Sequence, residues 1–219
     1  VVMTLTTQGD APIHYTLDGS EPTAASPRYT EPVEIGKSAR FRATALREGG
    51  ENVSYSREFV FSKSTGHPAV LNTKPNDSYT FEGASLLVDG YHSRPVFTSG
   101  AWLGYLDEPL DVTIDMGGEQ SYSSVELETL AEKGDWIFPP SSVTVWVSDN
   151  GTDFTEVASV SVPEAKAGDA DGIGRYRMQF PETSARYLKV VAQNAAAIPA
   201  WHPGAGSKGF LFVDEVVVE

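Results

Sequence analysis

The residues able to do chemistry in this chain are few and scattered. Its histidines are His14, His67, His92 and His202. No two stand at the spacing that lets one helix face present a pair of imidazoles to a metal. No Gly-x-Ser-x-Gly turn offers a nucleophilic serine. With no cysteine there is no thiolate, no disulfide and no thiolate-held zinc. Gly204-Ala205-Gly206-Ser207-Lys208-Gly209 has the letters of a phosphate-cradling loop. That loop works only between a strand and a helix whose N-terminus faces the phosphate. Here Trp201-His202-Pro203 precedes it and a strand pattern follows, so the glycines read as loop mobility or close packing. Asp169-Ala170-Asp171-Gly172 is a fragment of a calcium loop without the third acidic position and the distal Glu, so a solvated acidic turn is expected. Paired carboxylates are abundant among 30 Asp and Glu and by themselves say nothing about a catalytic pair. The chain is therefore expected to be non-catalytic.

What remains is recognition by aromatic faces beside planar polar groups. The loop aromatics are Tyr79, Phe81, Tyr91, Trp102, Trp136 and Trp201; their polar neighbours include His92, Arg94, Lys133 and His202. Trp201 and His202, between Pro199 and Pro203 and followed by glycines, read as a loop and are the first binding candidates. His92, Arg94 and Trp136 join them. Trp102 and Trp136 also lie among strand-like runs, where core packing is the first expectation. Trp146 alternates with inward valines and is expected on an exposed or edge face.

The elements that must carry these residues are strands. Ile13–Leu17 alternates apolar and polar before Asp18-Gly19, as does Val112–Met116 before Gly117-Gly118. Val143, Val145 and Val147 point one way, and Thr144, Trp146 and Ser148 the other. Tyr187–Val191 and Phe210–Val213 read as short apolar strands. Asp18-Gly19 predicts a hairpin, and Asn150-Gly151 a hairpin with a type I′ turn. His14 falls on a polar strand face, solvated or paired across strands. Long helical periodicity is absent. The class is all-β, sandwich or barrel.

Composition divides the chain. Residues 1–65 carry 7 Lys/Arg and 8 Asp/Glu, and residues 66–219 carry 9 and 22. All four tryptophans lie in the second part. A polar, turn-rich stretch, Ser62–Pro68, separates the two. The net charge of −14 opposes a nucleic-acid partner, which wants a basic face. No apolar run approaches the ~18 residues of a membrane helix. The chain lacks a starting Met and reads as a piece of a longer protein, its first unit short of an N-terminal strand.

Two stretches carry a resemblance. Ile13-His14-Tyr15-Thr16-Leu17-Asp18-Gly19-Ser20-Glu21-Pro22-Thr23, with Ser26, Tyr29 and Pro32, resembles the signature of a small β-sandwich module C-terminal to bacterial β-N-acetylhexosaminidases of glycoside hydrolase family 20, the chitobiase group. Leu87-Val88-Asp89-Gly90, Trp102-Leu103-Gly104-Tyr105, Asp111–Gly117, Trp136–Pro140, Val143–Phe154, Ala185–Val190 and Phe212–Val216 follow the order and spacing of the discoidin, or factor V/VIII C-type, jelly roll. That group includes the family 32 carbohydrate-binding modules. The resemblance implies an Ig/fibronectin-III-like sandwich over residues 1–65 and a discoidin-like, galactose-binding-domain-like jelly roll over residues 66–219.

The resemblance also implies function. The chain would be the non-catalytic tail of a secreted, periplasmic or outer-membrane-associated hexosaminidase. It would be a monomer that binds glycans containing N-acetylhexosamine or galactose, beside a catalytic domain in cis. Two other readings stand: a structural module packed on that domain, and a discoidin-type protein or cell-surface interaction domain, whose membrane-binding form the acidity opposes. Discoidin modules often hold a structural calcium. The resemblance places its ligands at the carboxylates of Asp89 and Glu215 and the backbone carbonyls of Tyr91 and Arg94. A hard cation wants six to eight oxygens, which such a turn can supply; the competing reading makes Asp89 a turn cap and Glu215 a solvated strand residue.

Overall fold

The computed structural model describes residues 1–47, 49 and 51–219. They form two compact units, one of residues 1–61 with 90–92 and one of residues 62–89 with 93–219. The first unit holds β1 (Val2–Met3), β2 (Ile13–Thr16), β3 (Val33–Glu34), β4 (Ala39–Ala45) and β5 (Val53–Phe59). β1 pairs with β3, and β4 runs antiparallel between β2 and β5. Their inward side chains, Met3, Ile35, Phe41, Ala43 and Phe59, form one buried cluster. The Phe41 ring stacks on Tyr15 at 5.9 Å.

Asp18-Gly19 does not close a tight hairpin: the chain returns antiparallel to β2 only at Arg28, opposite His14, and β2 also pairs with β4, with Ile13 opposite Ala45. Asp18 nonetheless caps its turn: the Ser20 N–H and Oγ–H donate to Oδ1 at 2.9 and 2.6 Å. Those bonds favour the ionised form and hold the carboxyl below its ordinary value. His14 is buried rather than solvated, its Nδ1 2.8 Å from the Ser26 carbonyl.

The second unit contains β6 (Ala69–Leu71), β7 (Leu103–Tyr105), β8 (Leu110–Ala131), β9 (Ser142–Ser148), β10 (Thr155–Ser161), β11 (Gly172–Gln193) and β12 (Leu211–Val218). The short strands expected around residues 112–116 and 187–191 are parts of two 22-residue strands, β8 and β11, paired antiparallel along their length. The register slips twice, between Gln179 and Thr183 and between Ala185 and Tyr187. Gly117, at φ 75°, sits at that bend on β8, where the sequence suggested a strand end. Each long strand thus serves both layers of a sandwich. The first half of β8 pairs with β6 and its second half with β12, which in turn pairs with β7; the last part of β11 pairs with β9, which in turn pairs with β10. Val112, Ile114 and Met116 from one half meet Val125, Leu127 and Val216 in one buried cluster.

β9 and β10 form the expected hairpin, but residues 149–154 close it as a longer loop. Asn150 lacks the positive φ of a type I′ turn. Its Oδ1 instead accepts the N–H groups of Thr152 and Asp153, both at 2.9 Å. Trp146 is half-buried on the outer face, and Trp102 is fully buried against Leu130, Ile137 and Phe212.

The bend between the layers is tied by an ion pair. Arg186 donates from Nε and Nη2 to the two oxygens of Asp115 at 2.9 and 2.8 Å, and the Gly117 N–H donates to Oδ1 at 2.9 Å. The guanidinium, then the Gly117 N–H, lower the Asp115 carboxyl to about 2. A depressed carboxyl stabilises the fold above its unfolded value, and that stability is lost as pH falls through its folded value. Urea titrations between pH 5 and 2, ranges set by the ordinary and lowered values, should show the native protein losing about 1 kcal/mol more than Asp115→Asn, after discounting for partial exposure. Parallel curves for the two proteins would refute this.

Candidate functional site

Three loops meet at one end of the second unit: residues 138–141 before β9, 162–165 after β10 and 195–200 after β11. They line a cavity of about 400 Å³ walled by Phe138, Pro139, Pro140, Val162, Pro163 and Ile198, with Ser141 and Glu164 as polar members. Proline fixes φ and removes a donor, so a wall rich in it stays open without leaving amides unpaired. Trp201 stands next to this cavity. Its Nε1–H donates to the carbonyl of Ala165, a wall residue, at 3.0 Å. The indole is 40% exposed.

The second exposed indole belongs to Trp136, 42% exposed. Core packing, the first expectation for this residue, is overturned. Trp136 ends the 3-10 turn Lys133–Asp135 at φ 65°, a left-handed conformation that bulky residues rarely adopt. Among the described residues the non-glycine positions with positive φ are Phe81 and Trp136, both exposed aromatics. Strain of this kind costs of order 1–3 kcal/mol and persists only where surroundings enforce it. Here the Trp136 N–H donates to the Lys133 carbonyl at 3.0 Å, and the Trp136 carbonyl accepts from Phe210 N–H at 2.8 Å. The ring lies against Gly204, where an added Cβ would come within 2.8 Å of Cζ2. Of the two readings for residues 204–209, close packing holds at Gly204, and Gly209 does the same for Phe138.

His202 packs against both indoles, but it is buried rather than facing a ligand. The Gly204 N–H donates to Nδ1 at 3.0 Å, so the proton sits on Nε2, which donates to the Lys133 carbonyl at 2.9 Å. Both ring nitrogens are used, and the imidazole supports the platform. It meets Trp136 at 6.1 Å and 88°, and Trp201 at 5.5 Å and 82°. Beneath them Lys133 is buried, its ammonium donating to the Asp171 carboxylate and, at 2.9 Å, to the Asp169 carbonyl. The Asp169–Gly172 segment is thus neither a calcium loop nor merely solvated; it anchors Lys133. The Lys133 ammonium lowers the Asp171 carboxyl, whereas burial and then the neighbouring Asp135 raise that of Glu132.

His92 is half-buried and groups with the first unit, as does Tyr91; Arg94 is exposed. These lie on another loop from Trp136 and Trp201. The Arg94 carbonyl, an expected metal ligand, accepts the Val96 N–H at 2.7 Å and the Trp102 Nε1–H at 3.0 Å.

The carboxylates fare differently. In β12 the register slips between Val213 and Val216, so Asp214 and Glu215 together face Glu128 of β8. A bulge of this kind breaks strand alternation and re-aims side chains. Asp214, Glu215 and Glu128 are at most 1% exposed. Glu215 is therefore not a solvated strand residue. The Ser93 N–H donates to Asp214 Oδ2 at 2.7 Å. Burial raises the Asp214 carboxyl to about 8 against that bond, with the charges of Glu128 and Asp89 adding to the effect. Among the described residues no three His, Cys, Asp or Glu are gathered as ligands of one metal ion. A cation here would need backbone oxygens beside Asp89 and Glu215, a donor set that fits calcium.

The F5/8 type C domain family model matches residues 72–208, more than half of the chain. The chain belongs to the F5/8 type C domain family. Its F5/8 type C domain carries both indoles and the cavity, in a discoidin-like jelly roll. Residues 3–59 match a further family model, described as Fn3 associated. Among solved structures the chain is similar to a Clostridium perfringens family 32 carbohydrate-binding module in complex with GalNAc-β-1,3-galactose, at 17% identity over 69% of this chain and 93% of that one, with a TM-score of 0.47. It is also similar to chitosan-binding module 2, in complex with chitotriose, of a Paenibacillus sp. IK-5 chitosanase/glucanase, at 18% identity over 72% and 98%, with a TM-score of 0.46. A Streptococcus pneumoniae fucose binding module is 22% identical over 72% and 94%, with a TM-score of 0.45. No curated protein matches the chain.

Proposed function

We propose that the chain is a non-catalytic accessory region of a secreted glycoside hydrolase, of the β-N-acetylhexosaminidase type, and that its F5/8 type C domain binds glycan. The observation that carries this reading is a pair of held, exposed indoles on the loops of the jelly roll, Trp136 seated on Gly204 and Trp201 beside an open cavity. Indole faces stack on the C–H surfaces of sugar rings, and a ring already immobilised loses little entropy on binding. Trp136 and Trp201 are the binding residues, with His202 as their support. The sugars envisaged carry N-acetylhexosamine or galactose. Tethering to such a polymer raises the local concentration of its target around an attached catalytic domain without tight affinity. The enzyme class rests on the resemblance over residues 13–32, and the secreted or periplasmic location follows from that class. A panel of immobilised glycans tests the reading. Retention of the chain on N-acetylhexosamine- or galactose-bearing members is expected, and retention on none would reject it.

We also propose one structural calcium held by Asp89 and Glu215, with backbone oxygens completing its shell. The crowding of buried acids around Asp214 supports it, since a cation would relieve their mutual repulsion. A ligand at about a hundred times its Kd stabilises by about 2.7 kcal/mol. Calcium should therefore raise the melting temperature by about 5–10 °C over chelated protein, and Glu215→Gln should abolish the response. An unchanged melting curve in chelator would refute it.

A further inference from the structure

We infer that the platform carries an acid-release switch: a second proton on His202 undoes the seat of Trp136, so that glycan held near neutral pH is let go on acidification. This rests on the glycan-binding reading and adds its regulation.

The tautomer of His202 is fixed by backbone groups that have no choice of role. An amide N–H can only donate, and a carbonyl oxygen can only accept. The Gly204 N–H donates to Nδ1 at 3.0 Å, and Nε2–H donates to the Lys133 carbonyl at 2.9 Å. The neutral ring thus completes both bonds, and it does so in a buried place. A second proton can go only to Nδ1, where it points at the Gly204 N–H. Two donors then face each other, and a buried amide has lost its acceptor. The same charge strengthens the bond to the Lys133 carbonyl. The ring therefore stays with Lys133, and Gly204 is the side that gives way.

Gly204 is where Trp136 rests. Its backbone lies so close to the indole that an added Cβ would stand 2.8 Å from Cζ2. The imidazole itself meets Trp136, Trp201 and Phe138 at 6.1, 5.5 and 5.5 Å, near perpendicular to each. The Lys133 carbonyl that holds Nε2–H also accepts the Trp136 N–H. A shift of residues 202–204 is therefore passed to the ring that the sugar would meet.

The other charged groups on these elements answer acid differently. On the Trp136 turn, the Lys133 ammonium is already paired with Asp171, and that ammonium holds the Asp171 carboxyl below its ordinary value. Asp169 offers Lys133 its backbone carbonyl. Glu132 stands above its ordinary value, through burial and then Asp135, so it is the carboxyl that the test must separate from His202. The loop that holds the Trp201 indole carries Glu164 and Lys166, both exposed, and Lys208 beyond the glycines is paired with Asp107.

NMR of the full chain without glycan, between about pH 8 and pH 5 where imidazoles change charge, reads the switch directly. The His202 ring nitrogens are expected to report a second proton, and the Gly204 amide and Trp136 indole signals to shift with the same midpoint. Over that range, retention on a panel glycan bound at the neutral end should weaken by about tenfold or more. His202→Gln, which has no proton to gain, should bind at one level throughout, whatever that level is. Glu132→Gln should respond to pH as the native chain does. A second proton on His202 that leaves the Gly204 and Trp136 signals unmoved would overturn the inference, as would a ring still neutral at the acid end. An acid response kept in His202→Gln would overturn it too. Glycan binding constant across the range would reject the release and leave the glycan-binding reading intact. Binding of no glycan at the neutral end would reject that reading and the release with it, while the NMR signals would still decide whether His202 governs the seat of Trp136.

Discussion

Replacing Trp136 and Trp201 together by alanine is expected to abolish glycan retention and leave the fold standing. Each indole is an exposed aromatic anchor, and truncating such an anchor costs about 2 kcal/mol or more, roughly 30-fold in Kd. The double substitution should weaken binding by more than a hundredfold, although two residues around one imidazole need not add. Stability should change little, because both side chains are about two-fifths exposed and outside the buried clusters of the second unit. Gly204→Ala separates platform from backbone. Its added methyl would meet Trp136 Cζ2 at 2.8 Å and tilt the ring without removing it. Binding should fall by about tenfold, with near-normal melting. Undiminished retention of the double variant on the glycans that bind the native chain would remove these tryptophans from the site. Gly204→Ala binding as the native chain does would show that the ring's seat is unimportant.

The second large effect lies below the platform. Asp171→Ala should destabilise the second unit by about 2–3 kcal/mol, because it leaves the Lys133 ammonium buried without its carboxylate. The Lys133 side chain is 9% exposed and that of Asp171 49%, so the figure stays below the cost of a wholly buried pair. The same carboxylate accepts the Lys133 backbone N–H at 3.1 Å, and the Lys133 carbonyl receives both His202 Nε2–H and the Trp136 N–H. Loss of Asp171 should therefore also weaken glycan binding, although this residue touches no sugar. A drop in melting temperature of about 4–12 °C follows for a unit of this size. The double variant Lys133→Met/Asp171→Ala should recover most of it, since an apolar pair can replace a buried ionic one at little cost. If the single variant melts as the native protein does, the ion pair is no anchor.

The amino-acid sequence alone determined the all-β class. Period-two alternation needs only the local geometry of a strand, so Ile13–Leu17 and Val143–Ser148 were legible as they stand. The Asp18–Ser20 cap was legible because side chain and amides lie within two residues of each other. The order of motifs from Leu87 to Val216 was enough to point to the jelly roll, since they follow one another along the chain as that fold's elements do. Trp201 was found from its proline- and glycine-rich surroundings.

Only the tertiary structure decided what depends on residues far apart in sequence. Gly117-Gly118 looks like a strand end, but β11 pairs across it and turns it into a bend. Trp136 looks like core because its neighbours are core; what turns it outward is a positive φ held by Lys133, Phe210 and Gly204. His202 looks like a binding group, yet its two nitrogens are bound to the backbone at Lys133 and Gly204. The Arg94 carbonyl accepts the Trp102 indole N–H and the Val96 N–H, contacts that its sequence neighbours do not announce. In each case the residue type sets what the group can do. Which groups it meets is settled by hydrogen bonds and packing that form only when distant strands and loops come together.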